Sequence, residues 1–342
     1  MAGGRLRACG KTAGLLWPAV CVVLFPTFPA PLAAQPLSPF FSFNQSPIIQ
    51  IHGLPAIDNA RVLDEAQARY RLVHDLANNY TFRQTADEAL LFDGETSRTT
   101  FVYARGIGGG WEWGMQIPYV RHAGGSLDAF IEDWHDTFFL PQGGRDTAPR
   151  NRLTYSYQRN GVTELLLNEP VSGIGDLRLT LGRQWSPPGA PTRVALRGAL
   201  SLPSGDSAEL RGSGAVDAAL WASADRARSW WGLAGSLYGG GGLLWMGDGE
   251  VLADQQRRLA AFGSLGAGAR LRPWLALKLQ LDLHSPLYDH SGLVQVNAAA
   301  VQLLMGGELQ LGRNTRLELM VGEDPTVHAS PDVVFHLGLV VE

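Results

Sequence analysis

Residues 274–284 read Trp-Leu-Ala-Leu-Lys-Leu-Gln-Leu-Asp-Leu-His, with Leu275, Leu277, Leu279, Leu281 and Leu283 at every second position and Lys278, Gln280, Asp282 and His284 between them. In an extended chain successive side chains point to opposite faces, so one face is unbroken leucine and the other is polar. A wall with hydrocarbon outside and water inside demands that division. A soluble sandwich strand also alternates, so the decision rests on whether the pattern recurs at similar length.

It does recur. Trp111, Trp113, Met115, Ile117 and Tyr119 share a face, as do Val333, Phe335, Leu337, Leu339 and Val341. Leu177, Leu179 and Leu181 alternate with Asp176, Arg178 and Thr180, and Val194, Leu196, Leu200 and Leu202 with Arg193, Arg197 and Ser201. Candidate strands run near 62–74, 89–105, 111–120, 152–159, 162–168, 175–185, 193–202, 214–223, 230–238, 258–272, 274–284, 293–311, 314–322 and 332–341. The pattern predicts an all-β, antiparallel transmembrane up-and-down β-barrel of about 14 strands, with a short N-terminal plug arm and a small helix in one outer loop. The number falls to about 12 if 152–168 does not form a spanning hairpin, because a crossing strand needs about 9–11 residues.

Connection length is a second test, since such barrels pair tight turns at one end with longer loops at the other. With the first strand rising, the returning connections are 106–110, 160–161, 186–192, 224–229, 272–273 and 312–314, all short. Asn160-Gly161 suits a two-residue hairpin, whose central positions need positive φ. The opposite set, near 75–88, 121–151, 169–174, 203–213, 239–257, 285–292 and 323–331, is mostly longer and richer in Gly, Pro, Ser and charge.

Composition narrows the classes further. The chain has 342 residues, 45% hydrophobic and 18% charged, with 41 Gly and 10 Trp. Arg5, Arg7 and Lys11 precede an apolar stretch from Ala13 to Phe25 and a small-residue exit at Ala33-Ala34, which predicts a secretory signal peptide over 1–34. Both cysteines, Cys9 and Cys21, fall inside it, so the exported chain is expected to lack disulfides and thiolate metal sites. Export leaves Lys278 as the one lysine and makes the formal charge of −4 more negative, which argues against nucleic acid as a partner.

Two stretches do not fit a wall. Residues 35–61 lack a sustained period and contain Phe40, Phe41, Phe43, Asn44, Pro47, Ile48, Ile49, Ile51, Gly53 and Pro55. They are expected to form an arm that plugs the lumen, around Asn44, Pro47, Gly53 and Pro55, or else a periplasmic tail. Residues 126–140 place Leu127, Phe130, Ile131, Trp134 and Phe138 at helical spacing, which predicts a short amphipathic helix in the longest outer loop. Glu132 and His135 form Glu-x-x-His on it, a weak candidate for metal binding because a site needs further ligands and only His122 and Asp128 lie nearby in sequence. No cofactor is called for. His284-Ser285, Asp289-His290 and His328 lie in outer loops, yet spacing does not join a nucleophile to a base, so an enzyme is not expected. The clusters 106–110 and 239–242 sit between strand patterns, where Gly serves turns and not phosphate cradles.

The run Gly109-Gly110-Trp111-Glu112-Trp113-Gly114 with Ile117-Pro118-Tyr119-Val120, Leu127-Asp128 through Trp134-His135 to Leu140-Pro141, Gly144-Arg145 and Gly173-Ile174-Gly175-Asp176-Leu177 resembles a bacterial outer-membrane family known only as a domain of unknown function. The likeness covers most of the mature chain. More loosely, Gly175-Asp176-Leu177, Leu202-Pro203-Ser204-Gly205-Asp206 and Gly212-Ser213-Gly214 look like the outer-membrane transporters of aromatic and fatty compounds. That resemblance implies a barrel of fourteen or so strands plugged by its N-terminus.

The expected protein is a monomeric barrel (62–342) in the outer membrane of a Gram-negative bacterium, set among lipid and lipopolysaccharide, passing small hydrophobic molecules down their gradient. Trp134, Phe138 and Phe139 would collect the ligand, and Arg178, Arg193, Arg197 and Asp282 would set charge preference. The alternatives are a structural, envelope-maintenance barrel presenting loop 121–151 to a partner and, third, an outer-membrane hydrolase. Insertion calls on the barrel-assembly machinery. Such barrels commonly offer it a terminal aromatic, where this sequence closes on Val340-Val341-Glu342.

Overall fold

The computed structural model describes residues 36–138, 149–326 and 328–342. The expected signal peptide, 1–34, lies outside them, as does Phe139. Fifteen strands form one sheet: β1 (Ala68–Gln84), β2 (Glu88–Gly108), β3 (Trp111–Ala123), β4 (Thr154–Arg159), β5 (Val162–Leu167), β6 (Val171–Ile174), β7 (Leu177–Gln184), β8 (Thr192–Leu202), β9 (Asp217–Trp230), β10 (Leu233–Met246), β11 (Leu259–Arg272), β12 (Leu275–His284), β13 (Ala300–Gln310), β14 (Thr315–Glu323) and β15 (Val333–Val341). Two helices, α1 (Asp128–Phe138) and α2 (Val294–Asn297), sit in connections.

Twelve strands close a ring, because β1 pairs antiparallel with both β2 and β15 and the pairing then runs from β15 back to β7, β3 and β2. Closure removes the unpaired edge that hydrocarbon would not tolerate. The other three strands lie outside the ring: β4 and β5 extend from the start of β2, and β6 from the end of β3. The hairpin at Asn160-Gly161 is real, with φ of 51° and 78°. It belongs to the end of the molecule opposite the tight turns, because Arg159 pairs with Glu88 at the beginning of β2. The turn expected at 224–229 instead falls at Trp231-Gly232, with β9 continuing through the earlier positions to Trp230.

Exposure on the wall is the reverse of that in a soluble strand. Leu277, Leu279 and Leu283 are 49–51% exposed, whereas Lys278 and His284 on the other face are 4% exposed. The leucines form the membrane-facing surface and the charges face the lumen. At the short-turn end the outer surface gathers aromatic residues. Tyr70, Tyr103 and Trp113 stand in a row with ring centroids 5.2 and 5.5 Å apart, and Trp185, Trp231 and Trp274 are exposed nearby in the turns. Such rings suit the level of lipid headgroups.

Residues 36–63 occupy the inside of the ring. Their partners lie on strands from all round it, which a chain outside the wall could not reach. The Leu37 N–H donates to Ser236 on β10, the Phe40 N–H to Gln280 on β12, and Ser42 to Asp75 on β1. Ser46 and Pro47 open a helical turn closed by the Ile49 and Gln50 N–H groups on the Ser46 carbonyl. The chain then comes back: the Gly53 N–H donates to Asp217 on β9, Ala60 to Asp225 and Leu63 to Glu112 on β3. It thus rises from the short-turn end, reverses beneath the long loops and returns to start β1.

Candidate functional site

The lumen is the candidate site, and its contents follow from the inward parity of the strands. A charge on that face can be buried only beside a counter-charge or a hydrogen-bond partner. Lys278 Nζ lies 3.3 Å from Glu318, 3.0 Å from the Ser38 carbonyl and 4.0 Å from the centre of the Phe40 ring. Glu318 is also 3.6 Å from Arg316, and His336 is held 2.7 Å from Asp75. Arg193 pairs with Asp225 at 2.6 Å, and Arg197 joins Glu112 at 2.9 Å while donating to the Asn59 and Arg61 carbonyls.

At the short-turn end Asp58 accepts from Arg71 (2.9 Å) and Arg69 (3.3 Å), and Arg69 also holds Glu342 at 2.7 Å. Burial alone would raise the Asp58 carboxyl, but Arg71, Arg69 and Arg197 outweigh it and hold the group well below the usual carboxylate range. For Glu342, burial is likewise overcome by Arg69 and Arg316, which bring it from 4.5 down to about 2.

At the long-loop end the segment meets an apolar cap. Ile48, Ile49, Ile51 and Leu54 pack with Tyr155, Tyr157, Leu165 and Leu167 of β4 and β5, and with Leu210, Leu252, Leu287, Tyr288, Leu293 and Val296 from the loops. Each fully buried isoleucine of this kind is worth about 1.5–3 kcal/mol relative to exposure. Polar links fix the cap in place. The Leu210 carbonyl accepts from Gln50 (2.6 Å) and from His122 Nε2 (3.0 Å), and Tyr288 donates to the Ile48 carbonyl.

Two small cavities border the segment. One cavity of ≈ 20 Å³ lies between the segment and β11 to β13, lined by Phe43, Asn44, Pro55, Phe262, Asp282 and His284 among others. Another of ≈ 30 Å³ lies among Arg61, Arg69, Arg193, Arg270, Glu308 and Glu342. Volumes of that size hold a water molecule or so and not an organic solute.

The structure sorts the residues singled out from sequence. Asn44 bridges His284 Nε2 (2.9 Å) and the Ala329 carbonyl (2.7 Å), and the other ring nitrogen of His284 bonds the Ser285 carbonyl. Both nitrogens of His284 are therefore engaged, and neither is free for a serine hydroxyl. Pro47 is buried in the turn, Pro55 lines the ≈ 20 Å³ cavity, and a Cβ on Gly53 would come within 2.7 Å of the Asp217 Cβ. Arg178 and Asp282 do face inward; Asp282 accepts from Gln280. Arg193 and Arg197 are committed to their carboxylates. Trp134 and Phe138 belong to α1, but their side chains lie outside the described residues. Glu132 is paired with Arg150, and the His135 side chain is also outside the described set.

The sequence reading missed Arg98, whose signal was its parity with Val102 against Phe101 and Tyr103. Arg98 Nη1 donates to Gln50 Oε1 at 2.6 Å. Arg98 and Arg178 both stand over the Phe43 ring, at 5.2 and 5.6 Å from its centre.

Comparison with known proteins agrees with the architecture. A family model described as "Protein of unknown function (DUF3187)" matches residues 14–342. No curated protein matches the chain. Among solved structures, the COG4313 outer membrane channel from Pseudomonas putida F1 is similar with a TM-score of 0.51 at 12% identity, over 82% of this chain and 97% of that one. The NanC porin gives 0.43 at 7% identity over 81% and 100%, and the Pseudomonas putida toluene transporter TodX 0.34 at 10% over 82% and 90%. The first of these likenesses is one of fold.

Proposed function

The chain belongs to the DUF3187 family of proteins of unknown function, and from its geometry we propose that it is an outer-membrane channel whose N-terminal segment, residues 36–63, plugs the lumen and gates the passage of small hydrophobic molecules. In this reading residues 1–34 are removed on export, the barrel stands as a monomer among lipid and lipopolysaccharide, the short turns face the periplasm and the long loops face outward. Passage follows the gradient, and the ligand enters at the outer loops, where Trp134, Phe138 and Phe139 of the 121–151 connection would receive it.

One observation carries the proposal. The interior is polar and charged, as a water-filled channel would need, yet it is filled by a segment held there by hydrogen bonds and ion pairs, and the two cavities that border that segment, of ≈ 20 and ≈ 30 Å³, are too small for an organic solute. A solute can cross only if that segment moves. Removing residues 36–55 should raise permeability to detergents and large antibiotics, and unchanged permeability in a correctly inserted variant would refute the plug. A second arm covers a deletion that fails to insert. Ser42 and Asp75 meet at 3.1 Å, so Ser42→Cys with Asp75→Cys should cross-link the segment to the wall. Tracer flux in liposomes should then stop until reductant is added.

The filled lumen also favours a second reading, in which the barrel anchors loop 121–151 for a protein partner and conducts nothing. Planar-bilayer conductance separates the two. A barrel that stays silent with and without the cross-link, but loses its cellular role when loop 121–151 is replaced, supports the anchor.

A further inference from the structure

Nearly every cation facing the lumen touches a carboxylate, but among the described residues two do not. Arg98 and Arg178 are 6% and 3% exposed, and among the described residues neither forms an ion pair. The Nε of Arg98 and the Nε and Nη1 of Arg178 are buried without a hydrogen-bond partner. A buried guanidinium left in this state is costly, since its charge-assisted bonds are forgone.

What stands before the two guanidinium groups comes from the N-terminal segment. The Phe43 ring is under both, Gln50 Oε1 accepts from Arg98 at 2.6 Å, and the His52 carbonyl lies 3.5 Å from Arg178 Nη2. The segment therefore presents an aromatic ring for cation–π contact and neutral oxygen acceptors where a carboxylate would do better. Phe43 also lines the ≈ 20 Å³ cavity, so displacing it would join the arginines to open space.

We propose that Arg98 and Arg178 form a binding site for an aromatic monocarboxylate, which Phe43, Gln50 and His52 occupy in its stead while the lumen is closed. This deepens the channel reading, on which it rests, by naming the class of permeant: an aromatic body with one carboxylate. The incoming ring takes the place of Phe43, and its carboxylate supplies the two-oxygen acceptor that the unpaired nitrogens lack. Arg193 and Arg197, tied to Asp225 and Glu112, take no part.

The test is equilibrium dialysis of the full-length processed barrel in detergent against benzoate, with benzyl alcohol as the neutral isostere. Benzoate should bind at least about tenfold more tightly than benzyl alcohol, a margin that charge-assisted pairing supplies. The double substitution Arg98→Gln with Arg178→Gln should abolish the difference in protein that still shows heat-modifiable migration. Phe43→Leu removes the competing ring and should raise benzoate affinity several-fold, whereas a purely structural Phe43 would leave it unchanged or lower it. Equal binding of the two probes, or no gain in Phe43→Leu, overturns the site. Charge-dependent binding without tracer flux in liposomes removes the channel reading and leaves the site standing. Flux that does not prefer benzoate removes the site alone.

Discussion

Glu318 shows how single residues hold this interior. It is 2% exposed and answers three cations: Lys278 at 3.3 Å, Arg316 at 3.6 Å and His336 at 4.0 Å. Lys278→Met removes one of these and leaves Glu318 two partners, whereas Glu318→Gln leaves the buried Lys278 without its carboxylate, while Arg316 keeps Glu342 and His336 keeps Asp75. Breaking a buried pair from one side costs about 3–5 kcal/mol, so Glu318→Gln should destabilise by about that much, and Lys278→Met by less. Denaturant unfolding in detergent measures both, and the reverse ranking would contradict this account. The inward position of Lys278 was legible in sequence, because it interrupts a row of leucines by one place. Its partners were not, since Ser38, Phe40 and Glu318 are brought to it by ring closure and by a segment with no period to read.

At the level of elements, the alternation of leucine with polar residues identified most strands but ended the first of them too early. Residues 75–88 looked like a loop because Asp75, Asn78 and Asn79 are polar. On a lumen-facing strand polarity marks the inner face, and β1 runs on to Gln84, with Asp75 bonded to His336 and Asn79 to Tyr155. The hairpin at 160–161 was recognised from Asn-Gly, but its strands β4 and β5 have six residues each and are too short to cross. Their inner sides instead cover the isoleucines of the N-terminal segment. This fixes a topology that can be checked: an epitope inserted between Asn160 and Gly161, where nothing lies within 4 Å of the Gly161 side-chain position, should be labelled on intact cells. One inserted at Trp231-Gly232 should be labelled only after the envelope is opened. Labelling of both on intact cells would invert or abolish the assigned orientation.

For the whole molecule, two carboxylates gather arginines of the wall at the short-turn end. Asp58 faces Arg69, Arg71 and Arg197; Glu342 faces Arg61, Arg69 and Arg316. Asp58 sits on the segment, and although burial alone would raise it, Arg71 and Arg69 of the wall hold it below its ordinary value, so seating favours its charged form. That contribution is complete above the ordinary aspartate value of 3.8 and fades as pH falls below it. Tracer leak through the reconstituted barrel should rise over the same window, and Asp58→Asn should leak at neutral pH; a pH-independent leak in both proteins would exclude this latch. The seam of the ring adds a matter of timing. Leu37 and Phe40 are among the earliest described residues, and their partners Ser236 and Gln280 lie 199 and 240 positions further on. Contacts so distant along the chain form slowly. Leu37 and Phe40 therefore find their places late, once β10 and β12 are set in the wall to receive them.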